Sequence, residues 1–143
     1  MRLVLDTSAV VCIVEEEPGW VVAQEKIREF DQVLISALTI AEYARRCISR
    51  GESVEQAKLA INSVLVMVDE VIPVDEQIAR RMLTVVKQAT ARVPIIDAII
   101  AATAIQHGAV LLHRDAHFRA IPQAMLHQEE LPAPNSIKAK EGT

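Results

Sequence analysis

The sequence predicts an α/β domain in which helices cover both faces of a central, mostly parallel sheet of four to five short strands. Short apolar runs alternate along the chain with longer segments of helical periodicity. The short runs are apolar at nearly every position, as expected of strands that are buried on both faces. Hydrophobic residues make up 51% of the chain and aromatic residues only 3%, which suits a core of Val, Ile and Ala side chains.

The predicted strands are short runs of β-branched residues and leucine, each followed by a polar or helix-starting residue. They cover residues 2–5, 33–35, 71–74 and 109–112, with a fifth strand expected at 124–126. Pro73 cannot donate a hydrogen bond to a neighbouring strand, so the third strand is expected at an edge of the sheet.

The predicted helices lie between these strands and carry start and stop signals of their own. They cover residues 8–14, 18–30, 37–50, 53–67, 75–90 and 97–104. Ser53 and Gln56 form a capping-box pattern, Asp75 is a typical N-cap, and Gly51 and Gly108 follow the ends of two helices. The last helix is apolar on nearly all sides, which predicts that it is buried.

The length of 143 residues fits one domain with a sizeable core. We expect the domain to span 1–131 and a loose tail to span 132–143, where the sequence PAPNSIKAKEGT becomes polar and is interrupted by proline. The apolar N-terminus is too short to cross a bilayer and is soon interrupted by Glu15. No contact with a membrane is expected.

Charge and cysteine content narrow the classes of function. The formal net charge of −4 argues against a strongly basic nucleic-acid surface. Four carboxylates in one metal site would account for all of that charge, because −4 plus 4 leaves zero, so a phosphate-bearing substrate stays compatible with it. Cys12 and Cys47 have no metal-ligand spacing and are predicted to be buried, reduced thiols, which favours a cytoplasmic location.

Three acidic residues fall where the predicted topology brings chain segments together. Asp6 follows the first strand, Asp115 comes three residues after the fourth, and Asp97 begins the buried helix that leads into the fourth. Ligand sites of open parallel sheets lie beyond the carboxyl ends of the strands, where the strand order reverses. If the chain starts in the middle of the sheet, strands one and four are neighbours and the three carboxylates meet at one edge.

A cluster of carboxylates needs a cation, because like charges at close range repel one another. Oxygen ligands select hard divalent ions such as Mg²⁺ or Mn²⁺ rather than zinc. Such an ion recruits phosphate groups and assists the in-line attack of a water molecule that a carboxylate orients or deprotonates. The cluster therefore predicts metal-dependent chemistry on a phosphate-bearing substrate.

Each acid also has an ordinary explanation. Asp6 and Asp97 can cap helices and Asp115 can stabilise a turn. Glu42 lies within a predicted helix and can pair with a neighbouring arginine of that helix. These explanations do not account for three acids at one predicted edge, and that coincidence favours a functional site.

Three segments carry a more specific pattern. LVLDTSAVV places Asp6 after a strand, and ISALTIAEYAR places Glu42 in a helix. VPIIDAIIAATAIQHGAVLLHRDAHFRAI combines Asp97, an Ala-rich helix, a glycine, a strand and an R-D-x-x-F turn that contains Asp115. In this order and at this spacing, the chain resembles the PIN-domain nucleases, in particular the VapC-type toxins of prokaryotic toxin–antitoxin systems, from residue 1 to about 126.

The resemblance implies a three-layer α/β/α sandwich and a Mg²⁺- or Mn²⁺-dependent endoribonuclease that cleaves RNA phosphodiester bonds by a metal-activated water. By matching motifs, it implies catalytic roles for Asp6, Glu42, Asp97 and Asp115. Asp6 and Asp97 are implied as metal ligands, directly or through water. Glu42 and Asp115 are implied to complete the site or to orient the attacking water.

The chain departs from the family pattern near the end of the last segment. His113 stands where the family often has Thr, and His117 where it often has an acidic or amide residue. We expect both histidines to have local packing or turn roles rather than to bind metal. Arg114 is either a phosphate contact or an exposed, solvated side chain. Thr7 or Ser8 either holds a carboxylate or a metal-bound water, or simply caps a helix.

The resemblance also implies partners. VapC-type proteins usually form homodimers and are inhibited by a small antitoxin, whose C-terminal segment lies in a groove beside the acidic site and often inserts a basic residue. The helices within 37–67 would supply that groove, although most of their apolar side chains are expected in the core: Ile40, Ile61, Val64 and Leu65. A short antitoxin-like gene directly upstream would distinguish a toxin from a stand-alone nuclease.

Two other functions start from the same aspartate. A phosphatase-type phosphotransferase that used Asp6 as its nucleophile would carry a second Asp two residues later, where Ser8 stands. A receiver-like domain would need a Lys after a late strand, and the segment 113–115 does not offer one. A non-catalytic PIN-like binding module should lack one or more of the four acids, and all four are present.

Overall fold

The computed structural model describes residues 1–136. Its five strands are β1 (Arg2–Leu5), β2 (Gln32–Ser36), β3 (Glu70–Ile72), β4 (Val110–His113) and β5 (Gln128–Glu130). They form one sheet in the order β3-β2-β1-β4-β5, and every pairing is parallel. The chain therefore starts in the middle of the sheet, and β1 lies beside β4 as predicted.

Helices connect the strands and cover both faces of the sheet. They are α1 (Thr7–Val14), α2 (Trp20–Arg28), α3 (Ala37–Ser49), α4 (Val54–Met67), α5 (Glu76–Gln88) and α6 (Ile95–Gln106), and a short 3-10 helix spans Ala116–Ala120. The predicted caps are in place, since Ser53 and Gln56 form a capping box and Asp75 caps α5. The sequence-based prediction of an α/β fold with a mostly parallel sheet is confirmed.

The hydrophobic core has two halves, one on each face of the sheet. Successive strand residues point to opposite faces, so Val4 and Leu34 pack with α5 and α6, while Leu3, Leu5 and Ile35 pack with α1, α3 and α4. This arrangement is the three-layer sandwich that the family resemblance implies. Helix α6 is buried on nearly all sides, as its composition predicts.

The prediction of a fifth strand at 124–126 is wrong. The fifth strand lies at Gln128–Glu130, where it pairs with β4 at the edge of the sheet. Leu126 is fully buried in the core but precedes the strand. The apolar triplet therefore anchors a loop, whereas the polar edge strand itself has little hydrophobic signal.

Several smaller predictions are settled by the same structure. Cys12 and Cys47 are free and fully buried, as predicted. Leu131 is buried against the core and its amide donates to the carbonyl of His113. Of the predicted loose tail, residues 137–143 lie outside the described part of the chain. Within residues 1–136, no helix is long and apolar enough to cross a membrane.

Candidate functional site

The predicted acidic residues lie together at the carboxyl ends of β1 and β4. The amide of Asp6 donates to the carbonyl of Leu112 at 3.0 Å, which joins the ends of the two strands. One pocket opens at this point and is lined by all four predicted carboxylates: Asp6, Glu42, Asp97 and Asp115. The structure therefore brings the whole predicted set into one cavity.

Asp6 is held by the first turn of α1. Its side chain is buried, with 3% of the residue exposed, and its Oδ2 accepts from the Ser8 amide at 3.0 Å and from Ser8 Oγ at 2.5 Å. Ser8 Oγ in turn accepts from the amide of Arg114 at 2.9 Å. Asp6 therefore caps α1, as its ordinary explanation predicts, and also lines the pocket.

Glu42 enters the pocket from the first half of α3. Thr7 Oγ1 donates to Glu42 Oε1 at 2.5 Å, and the hydroxyl of Thr39 lies 3.3 Å from that of Thr7. The expected alternative for Glu42, a pair with an arginine of its own helix, is wrong. Arg46 instead pairs with Glu15, with 2.7 Å between Nη2 and Oε2.

Asp97 and Asp115 approach each other across one histidine. Asp97 lies in the first turn of α6 and is 9% exposed, but it does not cap the helix because Pro94 occupies that position. Asp115 caps the 3-10 helix, where its Oδ1 accepts from the His117 amide at 2.9 Å. His117 Nδ1 lies 3.2 Å from Asp97 Oδ2 and 3.0 Å from Asp115 Oδ1. His117 thus lies in a turn, as predicted, and in addition contacts both aspartates.

The electrostatics of the pocket favour a bound cation. Burial raises the pKa of Asp6, and the charge of Asp115 raises it further. Burial also raises the pKa of Glu42, to which Asp6 and Asp115 add. The pKa of Asp97 rises to about 6, first through burial and then through the charges of Asp115 and Asp6. Carboxylates that repel one another in a partly dry cavity are stabilised when a divalent ion offsets their charge.

The donor set also fits a divalent metal ion. One ligand atom each from Asp97, Asp115 and His117 can be chosen so that all three lie within 4.8 Å of one another. Three atoms at such separations can contact one ion at ordinary coordination distances of about 2.0–2.6 Å. Asp6 lines the same pocket and adds a further carboxylate. These residues could hold a divalent metal.

A buried network of side chains fixes the position of Asp115. His113 is fully buried and packs against Phe118, with 4.7 Å between the ring centroids. Its Nδ1 accepts from the Asp115 amide at 3.2 Å, so its Nε2 carries the proton and donates to Gln128 Oε1 at 2.7 Å. Gln128 Nε2 donates to the carbonyl of Ile121 at 3.3 Å and to that of Phe118 at 2.9 Å. The packing role predicted for His113 is thus borne out by these contacts, whereas no sequence pattern pointed to Gln128.

Replacing Gln128 with Leu should destabilise this network. We expect the free energy of unfolding to fall by about 2 kcal/mol, because the substitution leaves the buried Nε2–H of His113 without an acceptor. Chemical denaturation measures the loss. The control is Gln123→Leu at an exposed position, which should change the free energy by less than about 0.5 kcal/mol. Equal effects of both substitutions would show that the network adds nothing to stability.

Arg114 is buried rather than exposed. Only 8% of its side chain is accessible, and its Nη2 donates to the carbonyl of Pro18 at 2.6 Å. Nε and Nη1 are shielded from solvent and make no hydrogen bond with any residue in 1–136, although Nη1 lies 4.0 Å from Glu17 Oε1. The exposed alternative is wrong, and the contacts favour a role in tying the loop before α2 to the end of β4.

A comparison with models of protein families identifies the family of this chain. The model of the PIN domain matches residues 3–124. The chain belongs to the PIN-domain family. A comparison of the sequence with curated proteins gives no significant match.

Solved structures share the PIN fold over most of the chain. The VapBC2 complex from Rickettsia felis, bound to a DNA fragment from its promoter, aligns with a TM-score of 0.75 and 20% identity over 92% of this chain and 100% of that one. VapBC-5 from Mycobacterium tuberculosis aligns with a TM-score of 0.63 and 25% identity over 92% and 98%. VapC20 from the same organism, a toxin that cleaves the sarcin–ricin loop, aligns with a TM-score of 0.65 and 18% identity over 82% and 93%. These similarities establish a fold that toxin–antitoxin proteins share.

Proposed function

We propose that this PIN domain is a Mg²⁺- or Mn²⁺-dependent endoribonuclease and acts as the toxin of a toxin–antitoxin pair in the cytoplasm. The observation that carries the proposal is the convergence of Asp6, Glu42, Asp97 and Asp115 on one pocket at the point where the strand order reverses. A similar fold in VapC20, which cleaves an RNA loop, supports RNA as the substrate class.

The roles of the four acids follow from their contacts. Asp6 and Asp97 are the more deeply buried carboxylates, so they are suited to hold the ion. When bound, the ion supplies positive charge to the phosphoryl oxygens and the leaving oxygen of the RNA. Glu42 lies on α3 and Asp115 follows β4, and both line the same pocket as Asp6. Their proposed role is to orient the attacking water or to accept its proton.

Hydroxyl groups prepare the carboxylates for these roles. Ser8 holds Oδ2 of Asp6 through both its amide and its hydroxyl, and Oδ1 takes no part in these two hydrogen bonds. Thr7 holds Oε1 of Glu42 in the same way. Each acid is thus fixed through one oxygen, and fixed ligands lose less conformational entropy when they bind an ion or a water.

A groove beside the pocket supports an antitoxin partner. It runs along α3, is closed by Ile96 of α6, and shares Glu42 and Arg46 with the acidic pocket. Helix α4, which was expected to supply part of the groove, does not line it; its Val64 is buried in the core, whereas Leu65 is 37% exposed. The proposed partner is a small antitoxin protein with a basic residue that enters the acidic pocket. In the proposed assembly, two copies of this chain form a homodimer to which antitoxin molecules bind. The similar structures from Rickettsia felis and Mycobacterium tuberculosis are toxin–antitoxin complexes.

Metal dependence of RNA cleavage tests the proposed activity. We expect the purified protein to cleave RNA in the presence of Mg²⁺ or Mn²⁺, to lose the activity in excess chelator, and to regain it when the ion is restored. Gel analysis of a structured RNA pool with labelled ends measures discrete cleavage. Cleavage that persists unchanged in chelator would contradict the proposal, because it would need no ion.

A further inference from the structure

The side chain of His117 lies in an unusual position for a surface histidine. About 55% of it is exposed, yet its Nδ1 points inward and lies within 3.2 Å of a carboxylate oxygen of Asp97 and within 3.0 Å of one of Asp115. Asp115 is also held by the cap of the 3-10 helix, whereas the hydrogen bond with this ring is the one that the carboxylate of Asp97 makes within residues 1–136.

Two carboxylates and one imidazole form a donor set with a definite chemical preference. Carboxylate oxygens bind Mg²⁺ and Mn²⁺ alike, whereas an imidazole nitrogen suits first-row transition-metal ions and is a poor ligand for Mg²⁺. For such a mixed site, affinity rises from Mn²⁺ through Co²⁺ to Ni²⁺. A purely carboxylate site would show much less of this preference.

We propose that Nδ1 of His117 is a ligand of the ion held by Asp97 and Asp115, and that this nitrogen makes the site favour Mn²⁺ and Co²⁺ over Mg²⁺. The proposal rests on the proposed function, because it concerns the same pocket. It adds a ligand that the motif match does not include and a class of ion that the four acids alone do not select.

The 3-10 helix already places the imidazole of His117 beside the carboxylate of Asp115. His117 follows Asp115 by two residues in the 3-10 helix, so both side chains rise from one rigid turn. The backbone amide of His117 donates to Asp115 Oδ1 at 2.9 Å, which locks the carboxylate beside the ring. The imidazole therefore reaches the ion position without a change of fold.

Binding of single ions to the whole protein tests the proposal. Isothermal titration with Mn²⁺ and separately with Mg²⁺ gives the ratio of the two dissociation constants. We expect His117→Asn to weaken Mn²⁺ binding by at least about tenfold and to change Mg²⁺ binding by less than about threefold. His117→Asp, which replaces the nitrogen donor with oxygen, should also lose the preference for Mn²⁺.

A spectroscopic measurement reports the ligand directly. With Co²⁺, the wild-type protein should show a paramagnetically shifted, exchangeable imidazole proton in its NMR spectrum, and His117→Asn should lack it. The matched control is His127→Asn, an exposed histidine that does not line the acidic pocket, which should keep both the signal and the wild-type ratio. Circular dichroism checks that all variants fold.

The outcomes separate this inference from the proposed function. An unchanged Mn²⁺ to Mg²⁺ ratio in His117→Asn, together with loss of all metal binding in Asp97→Asn, would overturn the ligand role and leave the metal site intact. Metal binding that survives Asp97→Asn would overturn the metal site itself. A drop in the dissociation constant for Mg²⁺ divided by that for Mn²⁺ in both His117 variants, with the Co²⁺ signal lost, supports the proposal.

Discussion

Replacing Asp97 with Asn is expected to reduce RNA cleavage by about 10³-fold or more, as the loss of a central catalytic group commonly does. The substitution keeps the size and shape of the side chain but removes the negative charge that faces the ion. Besides burial, the charges of Asp115, Asp6 and Glu42 raise the pKa of Asp97, and that of His117 lowers it. Its charge is therefore central to the balance of the site.

Single-turnover cleavage of one RNA under saturating Mn²⁺ measures the effect. The matched control is Asp75→Asn, because Asp75 is an exposed helix cap and Asn caps a helix about as well as Asp does. That variant should cleave at the wild-type rate. If Asp97→Asn cleaves as fast as the control, Asp97 has no catalytic role and the assignment of the pocket fails.

The position of three of the acids could be predicted from the sequence because it depends on topology. A strand at the start of the chain, a buried helix and a strand after it place Asp6, Asp97 and Asp115 at one edge once β1 and β4 are neighbours. The position of Glu42 could not be predicted from topology, because its place within α3 does not indicate how that helix is oriented on the sheet. Only the family resemblance pointed to it. Thr7 was predicted to hold a carboxylate or a metal-bound water or to cap a helix, and its hydroxyl donates to Glu42 Oε1.

The details around Asp115 could not be predicted because they depend on side-chain rotation and long-range packing. The inward direction of His117 follows from its rotamer in the 3-10 helix, and a sequence pattern does not specify a rotamer. The contact of His113 with Gln128 spans 15 residues and depends on where β5 pairs. Since the fifth strand was predicted at 124–126, Gln128 lay outside every predicted strand.

Burial of Arg114 is a further feature that local sequence did not reveal. An arginine between a strand and a turn aspartate is most often exposed, but here the loop before α2 folds over it and Pro18 accepts its hydrogen bond. The guanidinium thus stabilises one wall of the acidic pocket. In this site, the carboxylate oxygens carry the negative charge of the pocket, and the buried guanidinium of Arg114 lies in its wall.

The charge concentrated in the pocket should reduce the stability of the metal-free protein at neutral pH. Burial and neighbouring charges raise the pKa of Asp97 from 3.8 to about 6, so the folded protein holds this proton more tightly than the unfolded chain does. As the pH rises between these two values, the unfolded chain loses the proton first and the free energy of unfolding falls. The rise from 3.8 to about 6 corresponds to roughly 3 kcal/mol, because a tenfold change in proton affinity is about 1.36 kcal/mol.

Asp97→Asn should therefore stabilise the metal-free protein while it abolishes activity. We expect the variant to match wild type near pH 3.5 and to exceed its free energy of unfolding by about 3 kcal/mol at pH 7, as measured by denaturant titration in chelator. Ion pairs have the opposite effect on the pH dependence of stability. Arg119 lowers the pKa of Glu130, so this pair adds to the free energy of unfolding as the pH rises. Such pairs are present in both proteins and therefore cancel in the difference between them.

Saturating Mn²⁺ should reverse the order of the two proteins. An ion that binds the folded wild type adds RT ln(1 + [L]/Kd), about 4.1 kcal/mol at one thousand times Kd, which exceeds the advantage of roughly 3 kcal/mol that the variant has without the ion, and the variant that lacks the Asp97 charge gains much less. A wild-type protein that stays less stable than Asp97→Asn in saturating Mn²⁺, or a difference at pH 7 that does not shrink as the pH falls, would contradict this account. Either result would mean that the ion does not relieve the repulsion between carboxylates that destabilises the metal-free protein.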